Sequence, residues 1–196
     1  MDKGATTHER IIGRALRLAS RDGLGGLTIG TLAADLGLSK SGLFAHFGSK
    51  EELQLAVLHA AVTHFKRIVM GPAFKAPRGE PRLRALFEGW LDWGSDPALP
   101  GGCPFVAASI ELDDKPGAPR EFLVATQKEW LKALAAAARL GVEEAHFRAD
   151  LDPAQLAFEL YALILGYHHA RRLLRDRRAT ARVRQAFDHL VDAARR

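Results

Sequence analysis

The 196-residue chain is predicted to be all-α. Apolar residues recur at helical spacing in nearly every segment, and no stretch of six or more residues keeps the strict apolar–polar alternation of a half-buried strand. Glycine and proline are concentrated in short gaps between these periodic segments, where helices are expected to end. Together these patterns predict about nine helices, the first four forming a small compact group and the last five being longer.

The first helix is predicted to begin at Thr6 or Thr7, because Thr6 and Glu9 have the spacing of a capping box, and to end before Gly23. The fourth, which begins at Ser49, is predicted to end where Gly71 and Pro72 interrupt the pattern. In chain order the predicted helices cover about residues 6–22, 28–36, 39–47, 49–70, 82–95, 103–112, 118–140, 153–174 and 180–194.

The composition indicates a folded, soluble and cytoplasmic protein. Hydrophobic residues make up 47% of the chain, which is enough for a sizeable core and excludes wholesale disorder. The first ten residues lack the apolar region of a secretory signal, and the apolar window 156–170 is interrupted by Glu159 and two histidines, so no membrane span is expected. The single cysteine, Cys103, excludes an intramolecular disulfide and a multi-cysteine zinc site.

Residues 29–47 carry the strongest signal, two short helices joined at Gly37, where a positive φ costs glycine little. Leu43 and Phe47 lie four residues apart and are expected to pack inward from the second helix, with Ser39 as its N-cap. The outward face then carries mostly short or polar side chains, as suits a helix that lies deep in the major groove of DNA. These outward residues are Lys40, Ser41, Gly42, Phe44, Ala45 and His46.

A glycine inside a helix, such as Gly42, costs about 1 kcal/mol relative to alanine, so its presence needs a reason. Close approach of the backbone to DNA is one reason, and close packing against another helix is a second. The sequence favours the first and leaves the second open.

Residues 31–53, TLAADLGLSKSGLFAHFGSKEEL, resemble the signature of the tetracycline-repressor family of bacterial transcription regulators. The resemblance covers about residues 7–70; beyond them only the number and length of the helices agree with the family. One departure is Phe44, which replaces a tyrosine whose hydroxyl reaches a phosphate; Phe44 could contact a thymine methyl or a sugar, or be a core residue. The family core Leu-Tyr-x-His-Phe-x-x-Lys-x-x-Leu is matched by Leu43, Phe44, His46, Phe47, Lys50 and Leu53.

The resemblance implies a homodimeric transcriptional regulator, in the first place a repressor that leaves a palindromic operator when a small apolar or amphipathic effector binds. It divides the chain into a DNA-binding domain over residues 1–50, a connecting helix over 49–70, and an effector-binding and dimerisation domain over 51–196. The implied phosphate or base contacts to double-stranded DNA are Thr28, Ser39, Lys40, Ser41, Gly42, Phe44, His46 and Lys50.

The sequence also allows two other interpretations of the function. Within the same class, the protein could be an activator or a regulator without a ligand. From another class, it could be an all-α small-molecule carrier or an enzyme that has lost DNA binding. Zincin motifs, glycine-rich phosphate loops and nucleophile elbows are missing from the sequence, so catalysis, a metal and a cofactor are not expected.

Large apolar side chains in the C-terminal half fit either a core or an effector pocket. The candidate pocket residues are Phe87, Trp90, Trp93, Cys103, Phe105, Ser109, Trp130, Tyr161 and His168. Cys103 fits a buried small hydrophobe better than a redox sensor. The last two helices have wide apolar faces that could bury against a second copy as a four-helix bundle, through Leu156, Leu160, Leu163, Ile164, Phe187 and Leu190.

The net charge of +5 is unevenly distributed, with +3 on residues 1–50, −4 on 51–170 and +6 on 171–196. A basic end can mark contact with nucleic acid, whereas a solvated arginine-rich helix face explains the C-terminal cluster equally well. The family match lies in the first segment. The arginines of residues 171–178 are therefore expected to lie away from the DNA-binding helices, either outside the dimer interface or paired with acids of the partner subunit.

Overall fold

The computed structural model describes the backbone of residues 3–195 and the side chains of residues 7–195. Over these residues the chain is all-α, with nine helices and no strand, which confirms the predicted fold class. None of these helices is both long enough and apolar enough to cross a membrane. The helices are α1 Lys3–Gly26, α2 Ile29–Leu36, α3 Lys40–Phe47, α4 Lys50–Phe65, α5 Glu80–Trp93, α6 Pro104–Leu112, α7 Ala118–Glu143, α8 Pro153–Arg172 and α9 Ala179–Arg195.

Helix α1 begins at Lys3, so the predicted start at Thr6 or Thr7 is wrong. The side chain of Thr6, on which the predicted cap depends, lies outside the described residues. The expected break at Gly23 is confirmed, because its φ of 77° and ψ of 168° lie outside the helical region. The helical hydrogen bonding resumes for a short stretch up to Gly26.

The predicted end of the fourth helix at Gly71 and Pro72 is also wrong. Helix α4 continues through a π-helical turn, Lys66–Met70, into a further α-helical stretch, Gly71–Lys75. Proline has no N–H, and in a regular α-helix its ring clashes with the carbonyl one turn earlier. In the π turn the N–H of Gly71 bonds to the carbonyl of Lys66, so Pro72 enters at the start of a new α-helical stretch, a position that proline tolerates.

The described residues form two compact units. Unit 1 consists of the described residues up to His64 together with Ser95–Ala125, and unit 2 of Phe65–Gly94 together with the described residues from Thr126 onward. Residues 95–125 therefore pack with the N-terminal helices, although they are distant from them in the sequence. The functional boundary at residue 50 stays a prediction.

In unit 1, helix α1 packs against α6 and against the loop that precedes it. Arg17 donates a hydrogen bond to the carbonyl of Pro97 at 2.9 Å. Gly101 lies directly on the backbone of Ser20, and a Cβ at this position would overlap the Ser20 carbonyl. This close approach explains the glycine and fixes the loop against α1.

In unit 2, helices α8 and α9 pack against each other, and α9 also contacts α5. The rings of Phe87 and Phe187 stack at 4.0 Å with an angle of 10° between their planes, and both side chains are buried. Each buried aromatic ring removes a large apolar area from water, which stabilises this core. Ion pairs join α5 to α9, namely Arg84 with Asp188, Arg184 with Glu88, and Arg195 with Glu80.

Candidate nucleic-acid interface

The turn between α2 and α3 has the backbone geometry that its glycine predicts. Gly37 adopts a left-handed conformation, with φ 66° and ψ 29°, and ends α2. The N–H of Leu38 closes the turn on the carbonyl of Ala33 at 2.9 Å. A Cβ at Gly37 would meet no atom within 4 Å, so the backbone conformation alone favours glycine here.

Both helices of this motif begin at a hydroxyl cap. The Thr28 hydroxyl accepts the N–H of Thr31 at 3.0 Å, and the Thr31 hydroxyl accepts the N–H of Thr28 at 3.0 Å. The Ser39 hydroxyl accepts the N–H of Gly42 at 3.0 Å, which confirms Ser39 as the N-cap of α3. Thr28 and Ser39 therefore position the two helices, whatever they contact beyond the protein.

Helix α3 is divided into a buried and an exposed side. Leu43 and Phe47 are buried, as predicted, and hold the helix on unit 1. Phe44 is 55% exposed, so the reading of this side chain as a core residue is wrong. The exposed part of α3 presents one large apolar ring among short and polar groups, with Lys40, Ser41, Gly42, Phe44, Ala45 and His46 all exposed.

A local contact, which the sequence does not reveal, explains why position 42 is a glycine. A Cβ at this position would lie 2.9 Å from the Ser39 hydroxyl oxygen, inside van der Waals distance. Alanine would therefore press on the N-cap of its own helix. Since Gly42 is exposed, close packing against another helix is not the explanation, whereas close approach of DNA stays compatible with its position.

The three basic side chains of the predicted contact set differ in their surroundings. Lys40 is exposed and its side chain passes Gly30 of α2. The His46 ring lies beside that of His8, with 6.0 Å between their centroids. Lys50 donates a hydrogen bond at 2.9 Å to the carbonyl of Gly25, so its ammonium helps to hold the end of α1.

The end of α1 is held by side chains that the sequence analysis missed. Glu111 of α6 accepts the N–H groups of Leu24 at 3.1 Å and of Gly25 at 2.5 Å. Gln54 of α4 donates to the carbonyl of Leu24 at 2.9 Å. Glu111 lies 86 residues from Gly25 in the sequence, so no local pattern could have joined them.

An ion pair ties α1 to α2. Both nitrogens on one edge of the Arg14 guanidinium donate to the Asp35 carboxylate, one of them at 2.7 Å. Hydrogen bonding to the guanidinium lowers the pKa of Asp35 below its ordinary value. The carboxylate is thus kept ionised on α2, the first helix of the motif.

The predicted pocket residues are divided between the two units. Unit 2 contains Phe87, Trp90, Trp93, Trp130, Tyr161 and His168, whereas unit 1 contains Cys103, Phe105 and Ser109. Phe87 stacks on Phe187 as a core residue. Trp90 meets the ring of Tyr167 edge to face, and Ser109 donates its hydroxyl proton to the carbonyl of Val106 at 2.8 Å.

Unit 2 contains an aromatic group in which the half-buried ring of Phe65 contacts two tryptophans. Phe65 meets Trp93 and Trp130 edge to face, at centroid distances of 5.3 and 5.1 Å. The indole nitrogen of Trp130 is buried and has no hydrogen-bond partner among the described residues. Gln127, on the same helix as Trp130, accepts a hydrogen bond from the Tyr161 hydroxyl at 3.0 Å.

His168, a half-buried histidine of unit 2, has a lowered pKa. Burial lowers its pKa to about 4, and the charges of Arg172 and Arg171 act in the same direction. The imidazole is therefore neutral at pH 7. It offers a hydrogen-bonding group without a positive charge.

The residues predicted for the dimer interface lie mainly inside unit 2. Leu156, Leu160, Ile164 and Phe187 are buried within the single chain and serve as its core, and Leu163 and Leu190 are half-buried. Exposed apolar side chains are found instead at Phe158 on α8 and at Leu173 directly after its last residue, at 65% and 70% exposure. Ala162 and Gly166 are exposed between them at helical spacing.

Across the part of the chain that the structure describes, no group of three or more His, Cys, Asp or Glu side chains is placed to hold a metal ion. Cys103 is buried, is not part of a disulfide, and lies at the N-cap position of α6.

The chain is similar to known proteins both in sequence and in fold. Residues 11–57 match the family model "Bacterial regulatory proteins, tetR family", and residues 79–187 match "Tetracyclin repressor-like, C-terminal domain". No curated protein matches the sequence. A TetR transcriptional regulator from Chloroflexus aurantiacus has a TM-score of 0.86 and 29% identity, with 98% of this chain and 96% of that chain covered.

Two other similar structures contain ligands. A proposed transcriptional regulator from Saccharomonospora viridis in complex with choline has a TM-score of 0.80 and 26% identity, with 96% of each chain covered. AibR in complex with isovaleryl coenzyme A and operator DNA has a TM-score of 0.67 and 22% identity, with 82% of this chain and 85% of that chain covered. At this identity the second likeness concerns the fold alone.

Proposed function

This chain belongs to the tetracycline-repressor family and is a ligand-responsive, DNA-binding transcriptional regulator, and from that premise we propose that it is a repressor. It binds a palindromic operator as a homodimer and leaves the operator when a small apolar or amphipathic molecule binds. It acts in the cytoplasm through binding alone and performs no catalysis.

The observation that carries the proposal is the exposed side of α3. A helix capped by Ser39 and held by Leu43 and Phe47 leaves its other side free for a groove. In this proposal Ser41 and His46 contact base edges, since both are exposed and polar. Phe44, which lacks the hydroxyl of the family's tyrosine, contacts a thymine methyl or a sugar.

The remaining contacts of the proposal go to phosphates. Thr28, Ser39 and Lys40 lie at or near the first turns of α2 and α3, where backbone N–H groups also favour an anion. Lys50 is the first residue of α4 and takes the same role there. Because its ammonium also bonds to Gly25, Lys50 links a phosphate contact to the position of α1.

The proposed dimer forms through the exposed side of α8. Phe158 and Leu173 supply apolar area, and Ala162 and Gly166 allow the helix of a second copy to approach closely. A twofold dimer would present its two α3 helices about 34–36 Å apart, which is one turn of DNA. This spacing is the reason to expect a near-palindromic operator.

The proposed effector site includes the aromatic group of unit 2. Phe65, Trp93 and Trp130 offer apolar ring surface, and the indole N–H of Trp130 can donate to an oxygen of the effector. Because His168 is neutral at pH 7, it suits an apolar effector better than it suits an anionic one. The choline and acyl-coenzyme A ligands of the two similar structures differ too much in chemistry to name the effector here.

A binding titration tests this function. Fluorescence anisotropy with DNA from upstream of the gene is expected to show tight, palindrome-dependent binding that weakens steeply with salt. Ser41→Ala should change the preferred base, Lys40→Ala should weaken binding to all sequences alike, and Lys132→Ala, an exposed lysine of unit 2, should change neither.

A folded dimer with undetectable or salt-insensitive binding would contradict the proposal and favour the alternative, a small-molecule carrier or enzyme that has lost DNA binding. The effector is tested separately by thermal shift, because a molecule that binds the native state raises the melting temperature by mass action. An identified effector should also release the DNA. An effector that tightens operator binding would indicate a corepressor.

A further inference from the structure

The first turn of α4 follows directly on α3 within unit 1. Only two residues, Gly48 and Ser49, separate the two helices. Gly48 has a φ of 68°, and its N–H bonds back to the carbonyl of Phe44 at 2.7 Å, so the connection is tight. A shift of the first turn of α4 is therefore expected to move the end of α3 as well.

The first two residues of α4 bond to two different helices of unit 1. Lys50 donates to the carbonyl of Gly25, at the end of α1, at 2.9 Å. The carboxylate of Glu51 accepts the N–H of Ala118, the first residue of α7, at 3.1 Å. A carboxylate is favoured at the start of a helix, where the N–H groups lack partners within the helix and the helix dipole is positive.

The residue before α7 leaves room for this carboxylate. Gly117 has a φ of 138°, which residues with a side chain rarely adopt. A Cβ at this position would lie 3.1 Å from the Glu51 oxygen that accepts the N–H of Ala118, so one of the two groups would have to move. The glycine therefore lets Glu51 reach the start of α7, although Glu51 and Ala118 are 67 residues apart in the sequence.

These contacts form a closed ring within unit 1. Gly25, which accepts from Lys50, donates its own N–H to Glu111 of α6 at 2.5 Å. Helix α6 leads through residues 113–117 into α7, whose first N–H returns to Glu51. Without the bond at Glu51 the ring is open, and only Lys50 still ties the first turn of α4 to it.

We propose that Glu51 is a positioning residue for DNA binding. Its bond to the start of α7 places the first turn of α4, and with it the Lys50 ammonium and α3, where they contact the operator. This inference rests on the proposed function, since it requires that α3 and Lys50 bind DNA. A carboxylate next to a phosphate contact repels the phosphates, so its position has to contribute more to DNA affinity than its charge removes.

The test compares two neighbouring carboxylates of α4 that differ in this bond. Glu51→Ala and Glu52→Ala each remove one negative charge from an exposed position. Of the two side chains, only that of Glu51 has a hydrogen bond to α7 among the described residues. The affinity of each full-length variant for operator DNA is measured by fluorescence anisotropy from about 50 to 200 mM salt. Light scattering and a melting curve establish that each variant is a folded dimer.

Glu52→Ala is expected to bind the operator at least as tightly as the wild type, because a repelling charge is lost. Glu51→Ala should bind at least about fivefold more weakly than Glu52→Ala, because the bond to α7 is lost. Its plot of log affinity against log salt should be shallower by about 1 to 2, since Lys50 contacts one phosphate in each subunit and each lost contact removes about 0.9 from the slope. Glu51→Gln keeps an oxygen acceptor and should bind at least as tightly as the wild type.

Equal operator affinities for Glu51→Ala and Glu52→Ala would overturn the inference. If Glu51→Ala is not a folded dimer, Glu51→Asp decides, because it keeps the charge on a side chain one methylene too short to reach Ala118. This variant should bind more weakly than the wild type, and an affinity equal to that of the wild type would also overturn the inference. If the wild-type protein itself does not bind the operator, the proposed function fails, which is a different result from equal affinities in variants that bind.

Discussion

Helices α3 and α9 are held in place by opposite means. Helix α3 has eight residues, buries Leu43 and Phe47, and is fixed at its ends by Ser39 and the positive-φ Gly48. Helix α9 has 17 residues, buries a full stripe that includes Phe187, and adds ion pairs to α5. The short helix leaves most of its surface exposed and combines two buried side chains with a cap at each end, whereas the core helix is held along its whole length.

The largest effect is expected at the core helix. Phe187→Ala removes a ring that is stacked on Phe87 and fully buried, which should lower the free energy of unfolding by about 3–5 kcal/mol. Urea denaturation measures this loss. Phe187→Leu, which keeps most of the apolar volume, is the matched control and should lose clearly less. A loss below about 1 kcal/mol for the alanine variant would contradict the importance of the stack.

A middle effect is expected where α6 meets the end of α1. Glu111→Ala leaves the N–H groups of Leu24 and Gly25 without their acceptors, at a cost of about 2 kcal/mol in the free energy of unfolding. Glu111→Gln keeps one carbonyl acceptor and should lose roughly half as much. Affinity for operator DNA should fall in the same order, because the freed end of α1 also carries the contact to Lys50.

The control for this series is Glu121→Ala, which removes an exposed carboxylate of the same unit. Both the unfolding curve and the DNA affinity of this variant should match the wild type. If Glu111→Ala behaves like Glu121→Ala, the two hydrogen bonds do not hold the end of α1.

The smallest effect is expected at the cap of α3. Ser39→Ala removes the acceptor for the N–H of Gly42 and should cost about 1 kcal/mol. Ser39→Asp keeps a capping oxygen, so its stability should stay near the wild-type value while its added negative charge weakens binding to phosphates. Measuring the melting temperature and the DNA affinity of both variants separates the role of Ser39 as a helix cap from its proposed role as a phosphate contact. Equal DNA affinities for Ser39→Asp and the wild type would exclude a phosphate near Ser39.

The parts of the fold that sequence could predict depend on residues within one helical turn of each other. The hydroxyl cap at Ser39, the left-handed Gly37 and the inward pair Leu43 and Phe47 all belong to this class. The π turn that follows α4 is not predictable in this way, because proline usually ends a helix and only the hydrogen bond from Gly71 to Lys66 shows how the chain continues.

The parts that could not be predicted depend on which surfaces meet. Helical spacing identifies apolar positions on α8, but it does not say which of them face the core of the same chain. In the structure Leu160 and Ile164 belong to that core, whereas Phe158 is exposed. The predicted pocket residues share their chemistry and their place in the C-terminal half of the sequence. Cys103 and Phe105 nevertheless fold with the N-terminal helices, a pairing that no local pattern encodes.

The packing of residues 95–125 on the N-terminal helices limits how such a protein can be recombined. A fragment that ends at His64 would expose the surface of α1 that α6 covers, and would lose the carboxylate that holds Leu24 and Gly25. A chimaera made by exchanging only the N-terminal segment would join an α1 and an α6 that never fitted each other. Under the proposed function, new operator preferences are therefore reached more easily by single changes on the exposed side of α3 than by exchange of whole domains.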